Sequence, residues 1–185
     1  MNRSAPRPAR TALQRVAALA VLAAVVIVAG CAPTPSGGGG PGSTNYTQCP
    51  TVGAGQVRVA VVVNGAALGS TAAPVVCVVV AQNSTGVGAL YARAARLGLP
   101  VPRFDVSGLL CAIDGVPIAP TCGNLGPNGY EYWTYWLGGG PAWTFAPIGP
   151  ASRLMTDGTV EGWRFVPGGP DTAPSQPSTF AQLVS

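Results

Sequence analysis

The stretch Tyr130–Trp136, YEYWTYW, limits the folds open to this chain more than any other part of it. Five of its seven residues are aromatic, and nine of the chain's 13 Phe, Trp and Tyr residues fall between 130 and 165. Aromatic composition of this kind makes the stretch a strand, and alternate residues of a strand share a face. Tyr130, Tyr132, Thr134 and Trp136 therefore point one way, and Glu131, Trp133 and Tyr135 the other. Both faces carry large rings. A fold containing this strand must cover both faces, or leave one as a platform for a ligand. Tyr and Trp suit a platform, being large and rigid with a polar handle. Trp133 and Tyr135 are expected to share the core face with Trp163 or Phe165. Tyr130, Tyr132 and Trp136, with Trp143 beyond them, are then the ligand-binding candidates. Glu131 shares the Trp133 face and is expected near a strand end, within reach of water, Arg153 or Arg164, because a buried unpaired carboxylate is costly.

The N-terminus is set aside first, since targeting segments do not belong in a fold argument. Met1–Arg15 holds four arginines and no acid, and Val16–Ala29 is an unbroken apolar run of 14 residues. That run is short of the roughly 20 residues of a bilayer span and suits a secretory signal. It ends in Val28-Ala29-Gly30-Cys31, which is similar to the lipobox of bacterial lipoproteins. There the cysteine thiol takes a diacylglyceryl group and becomes the mature N-terminus. Residues 1–30 are thus expected to be a lipoprotein signal peptide, and Cys31 the lipidation site. The mature chain would sit on the extracytoplasmic face of the cell membrane through its lipid anchor.

Without the four signal arginines the chain carries six arginines against six acids and no lysine, so its charge is near zero despite a sequence pI of about 9.0. Nucleic acid is excluded as a partner, because it calls for clustered positive charge. Four cysteines remain besides Cys31: Cys49, Cys77, Cys111 and Cys122. An even number in an exported chain points to two disulfides. Three pairings are open, and short sequential loops favour Cys49–Cys77 with Cys111–Cys122. With no histidine and no CxxC, no metal site is expected. The same lack of histidine removes Ser-His and Cys-His nucleophile systems. Asp114 and Asp157 each precede glycine, where local turn chemistry explains them. Neither catalytic residues nor a cofactor are expected.

Residues 31–48 are a Gly/Ser/Pro-rich tether, and 167–185 are of similar composition and expected to be a disordered tail. One domain is left, 49–166. Gln56–Gly65 is a β-branched strand ending in Asn-Gly, a strong turn signal. Ala73–Ala81 is a second strand, apolar on both faces and therefore expected to be central. Asn83–Gly98 changes period: Val87, Leu90, Tyr91 and Ala94 fall on one helical face. Ser84 or Thr85 can cap that helix and Gly98 can end it, with Arg93 and Arg96 near its C-terminus, where cations suit the dipole. Further strands follow at Gly108–Pro117, in the aromatic stretch, and at Thr159–Val166. One helix packed on a mixed or antiparallel sheet, an α+β domain, is the simplest arrangement.

The second half carries a more specific pattern. Cys111-Ala-Ile-Asp-Gly-Val-Pro117, Cys122, the aromatic strand with Trp133 and Tyr135, and the closing Asp157-Gly158, Val160 and Trp163 resemble the transcobalamin-like C-terminal domain family. The resemblance is close over Leu110–Phe165 and loose from Val57. It implies a β-grasp fold of the soluble-ligand-binding type, and binding rather than catalysis. The expected function is capture of a small soluble ligand, cobalamin-like or other, for a membrane transporter, by a monomer. The alternative is a structural or protein-interaction lipoprotein of the envelope with no small ligand.

Overall fold

The computed structural model describes residues 45–118 and 122–185. The tether and signal up to residue 44, with Cys31, lie outside the described residues. The domain is α+β, built on a mixed sheet. Strands β1 (Gln56–Asn64) and β2 (Val75–Ala81) pair antiparallel, and helix α1 (Gly86–Leu97) follows. Two short strands, β3 (Arg103–Phe104) and β4 (Leu110–Ala112), form a separate ribbon. Next come β5 (Asn124–Gly126), β6 (Gly129–Leu137) and β7 (Thr144–Phe145). Strand β8 (Thr159–Pro167) and helix α2 (Phe180–Leu183) complete the chain. The main sheet runs β2-β1-β8-β6-β5, with β7 also pairing β6. Strand β8 lies parallel to β1 and antiparallel to β6. A central parallel pair flanked by antiparallel strands, with the helix joining β2 to the second half, is a β-grasp-like topology. Both disulfides are Cys49–Cys77 and Cys111–Cys122.

The helix forms where the period predicts it. The Thr85 side chain accepts from the Gly88 amide, and Gly98 closes the helix in the left-handed region at φ 65°. On its inner face Ala89 and Leu90 pack with Val59, Val61, Val76 and Val78 of the sheet, and Ala94 is buried as well. Tyr91, placed on that face by periodicity, is exposed instead, while Arg93 is fully buried. The cation is not there for the helix dipole. Its Nη1 donates to Asp114 Oδ1 at 2.5 Å and its Nη2 to the Ala73 carbonyl at 2.9 Å. Asp114 reaches it from the turn Ile113–Val116, where Asp114 and Gly115 take φ of 56° and 80°. Two successive positive φ values define the tight I′ turn, which Asp-Gly accommodates at low steric cost. The turn thus presents one carboxylate to a buried guanidinium, which would otherwise be an uncompensated charge.

The turn signalled by Asn64-Gly65 forms as a short 3-10 turn at Ala66–Leu68, after which the chain returns to β2. Three expectations change. Strand β2 is an edge strand, not a central one. Its apolar composition records burial of both faces, and its free edge is closed by other means. The Cys77 amide donates to the Tyr46 carbonyl at 2.9 Å, Arg96 donates to the Cys77 carbonyl, and Cys49 is bonded to Cys77. Satisfied edge groups remove a template for pairing with another chain. This also shortens the expected tether, because Tyr46 packs on the core and Gln48 accepts from Arg96 at 2.7 Å.

The third change concerns residues 167–185, expected to be disordered. They form a strap across the sheet face opposite α1. Leu183 is buried there with Ala60, Val62 and Val160, and Phe180, Val184, Val75 and Trp143 pack around them. The strap is stitched down by polar groups along its length. Arg164 donates to the Ala173 carbonyl at 2.6 Å, Trp143 Nε1 to the Gln176 carbonyl at 2.9 Å, and the Gly139 amide to the Ser178 carbonyl at 2.6 Å. Its sequence has few apolar residues, but the sheet supplies an apolar face that would otherwise stay wet, and Phe180, Leu183 and Val184 fill it.

Candidate functional site

The register of β6 on β8 decides how the aromatic residues divide. Trp133 lies opposite Phe165 and Tyr135 opposite Trp163. Their rings meet on the helix side of the sheet, with centroids 5.5 Å and 5.2 Å apart. These four are core, as expected. The outer face carries Tyr130, Tyr132, Thr134 and Trp136, and it is here that the expected candidates separate. Tyr130 is 58% exposed and touches Tyr132 edge-on at 6.4 Å. Tyr132 is half-buried, and its hydroxyl donates to Asp171 of the strap at 2.6 Å, so its polar handle is already engaged. Trp136, expected near solvent, is only 8% exposed. Its indole N–H donates to Thr134 Oγ1 at 2.8 Å, and Phe145 of β7 covers its ring at 5.2 Å. Strand β7 lies in the stretch Ala142–Gly149, where the strand pattern resumes after Gly138–Pro141, but its pairing back onto β6 is not a local signal. Trp136 is therefore a structural ring and not a surface one.

Trp143 is the candidate best placed to meet a ligand. It is half-buried, and its outer ring atoms lie against Gly162, where a Cβ would come within 2.6 Å of Cζ3. A residue larger than glycine at 162 would push the indole off the sheet. Its N–H is held by the Gln176 carbonyl at 2.9 Å. Beside the ring opens a groove of about 550 Å³, lined by Trp143 and Pro141 and by Ser175, Gln176, Ser178 and Gln182 of the strap. The groove is shallow and open to solvent. The strap residues were missed from the sequence. The signal that could have found them is the apolar spacing of Phe180, Leu183 and Val184, which marks an amphipathic turn.

On the helix side a smaller cavity of about 90 Å³ lies under the Cys111–Cys122 loop, lined by Leu68, Cys111, Pro117, Glu131 and Phe165 among others. Glu131 is near the strand end, as expected, but neither expected arginine meets it. Arg153 pairs with Glu161, and Arg164 is bound to the strap.

Glu161 is a second carboxylate with an unusual setting. It is fully buried on the helix side of β8. Tyr135 donates its hydroxyl to Oε2, and Arg153 Nε approaches Oε1 at 3.4 Å. Helix α1 begins directly against it: a Cβ on Gly86 would lie 3.1 Å from Oε2. Burial pushes the Glu161 carboxyl up to about 7, against the downward pull of Tyr135 and Arg153. Burial first, and then the Glu161 charge, also raise the Tyr135 hydroxyl. An acid whose folded pKa exceeds its unfolded value binds more protons when folded. Its stabilising contribution is complete below about pH 4.5 and is lost as pH rises through about 7. The full swing is on the order of 3 kcal/mol. At the acid end Asp157, drawn down to about 2 by its hydrogen bonds to Arg58, loses its contribution as pH falls from 3.8 towards 2. That pair is half exposed and weak in water. The melting temperature should therefore peak near pH 4–5 and fall towards pH 8. Glu161→Gln should flatten the fall above pH 5, and an unchanged slope in calorimetry of that variant would show that another group drives it.

Among the described residues no group of three or more His, Cys, Asp or Glu side chains is placed to hold a metal ion, and no helix is long and apolar enough to cross a membrane.

Residues 125–185 match the family model of the SCO2322-like domain. No curated protein and no solved structure gives a significant match to the chain. The matched segment runs from within β5 through the strap to Ser185, so it includes the strap and the residues that line the Trp143 groove.

Proposed function

We propose that the protein is a lipid-anchored extracytoplasmic binding protein that captures a small soluble ligand in the groove beside Trp143. The observation that carries this reading is the half-buried indole, fixed by Gly162 and the Gln176 carbonyl, forming one wall of an open groove of about 550 Å³. An aromatic and apolar lining with a few placed polar groups is the usual make-up of a small-molecule site, and Trp143, Pro141 and Pro177 with Gln176 and Gln182 supply both. The role is binding rather than catalysis: the strongly perturbed Glu161 is sealed from solvent, so it has no access to a substrate. The resemblance of Leu110–Phe165 to transcobalamin-like C-terminal domains points the same way. A membrane transporter would receive the ligand.

The alternative, an envelope protein that binds another protein and no small ligand, is favoured by a different observation. Leu125 and Tyr130 face each other across β5 and β6 and both stand exposed, and contiguous exposed apolar surface is material for a protein contact.

The anchor is tested at Cys31. The Cys31→Ala protein should fold normally and take up no labelled fatty acid in a lipoprotein-processing bacterial host. Continued labelling would remove the anchor from the reading. A thermal-shift screen of small molecules separates the two functions, since a ligand that binds only the folded state raises the melting temperature.

A further inference from the structure

The Trp143 groove has a chemical character that narrows its occupant. Resting on the reading of this groove as a binding site, we infer that its ligand is a neutral saccharide. None of the residues lining the groove is charged: they are prolines, alanines, serines, two glutamines and the tryptophan. An ionised ligand entering it would lose hydration and meet no counter-charge, which is costly. A neutral ligand has no such penalty.

What the lining does offer is matched to a sugar ring. The Trp143 ring face is electron-rich and can stack against the C–H-bearing face of a pyranose. Its orientation is set before any ligand arrives, by the 2.9 Å bond from its N–H to the Gln176 carbonyl and by the seat on Gly162. Little further ordering is needed on binding, and pre-organisation favours affinity. Around the ring stand groups that both donate and accept. Amide and hydroxyl side chains offer both functions, as the hydroxyls of a sugar require. Gln176 Oε1 is a buried acceptor with no hydrogen-bond partner, carried by a residue of the groove lining. Gln182 is positioned by the Thr179 hydroxyl, which donates to its Oε1 at 2.5 Å. That contact leaves the amide nitrogen to donate. A purely apolar or flat aromatic ligand would use the indole and leave these amides unsatisfied.

The test is titration of the purified protein with cellotriose, maltotriose and the trisaccharide of N-acetylglucosamine, followed by isothermal calorimetry and tryptophan fluorescence. Cyanocobalamin and haem are run beside them. At least one trisaccharide should bind in the micromolar to millimolar range and shift the fluorescence. Trp143→Ala should weaken binding at least tenfold, and Gln182→Ala, on the exposed strap, should weaken it severalfold with an unchanged unfolding midpoint. Trp143→Phe, which keeps a ring in the seat, should retain part of the affinity even if Trp143→Ala fails to fold. If no trisaccharide binds but cobalamin or haem does, with dependence on Trp143, the saccharide assignment is overturned and the binding reading stands. If nothing binds, both fall. Saccharide binding that is indifferent to Trp143→Phe and Gln182→Ala overturns the placement of the site.

Discussion

Truncation after Pro167 should leave a chain that is either unfolded or retains only a small part of its stability. The strap contributes Phe180, Leu183 and Val184 to the apolar cluster on the outer face, where they cover Ala60, Val62 and Val160. Removing it strips acceptors from Trp143, Arg164 and the Gly139 amide, and takes Asp171 from Tyr132. Losing Leu183 alone is expected to destabilise by about 2–5 kcal/mol. A domain of this size holds only about 5–15 kcal/mol in all. The loss of the whole strap therefore takes most of the folding free energy. It also turns the outer face of the sheet into an exposed apolar patch. Urea denaturation of the truncated chain, with a dye that reports exposed apolar surface and light scattering for aggregation, checks this. Leu183→Ala provides the graded version, with a lower unfolding midpoint at unchanged steepness. A truncated chain that unfolds at the same midpoint as the full one would show that the strap merely rests on the sheet.

Trp163→Ala should be the most damaging single substitution in the sheet, at about 3–5 kcal/mol. Trp163 is the largest fully buried side chain in the domain. It sits on β8, the strand that joins the two halves of the sheet. Its ring stacks on Tyr135 at 5.2 Å, and the Tyr135 hydroxyl in turn donates to Glu161. The cavity left behind would therefore loosen the ring that supports a buried carboxylate as well as the apolar packing. Its indole N–H is buried with no acceptor, so Trp163→Phe removes an unsatisfied donor along with volume and should cost much less than Trp163→Ala. Tyr130→Ala, at a ring 58% exposed, is the control and should stay within about 0.5 kcal/mol. Chemical denaturation of the three variants gives the ranking. A Trp163→Ala protein within about 1 kcal/mol of the parent would mean that β8 does not hold the two halves together in the way its register indicates.

Periodicity and local chemistry alone determined much of this protein. The valine-rich strands, the helix with its Thr85 cap and Gly98 stop, and the Asp114-Gly115 turn follow from interactions within a few residues of one another. So does the alternation that sends Trp133 and Tyr135 to one face. The two disulfides match the short sequential loops that the cysteine spacing favours. Only the tertiary structure decided what covers each surface. Apolar residues on both faces of β2 record burial and carry no information about how many strands lie beside it, so its place at the edge was not legible. Trp136 is buried by Phe145, and Arg93 is neutralised by Asp114 from a turn 21 residues away. Local pattern marks the turn and the strand that carry these partners, but not that they meet Arg93 and Trp136. The strap is the clearest case. Its proline- and serine-rich sequence lacks the apolar residues to fold alone, and it becomes ordered because the sheet offers it a preformed apolar face and a row of waiting donors. Those donors belong to residues far away in the chain, so the order of the strap, and with it one wall of the Trp143 groove, is a property of the assembled sheet.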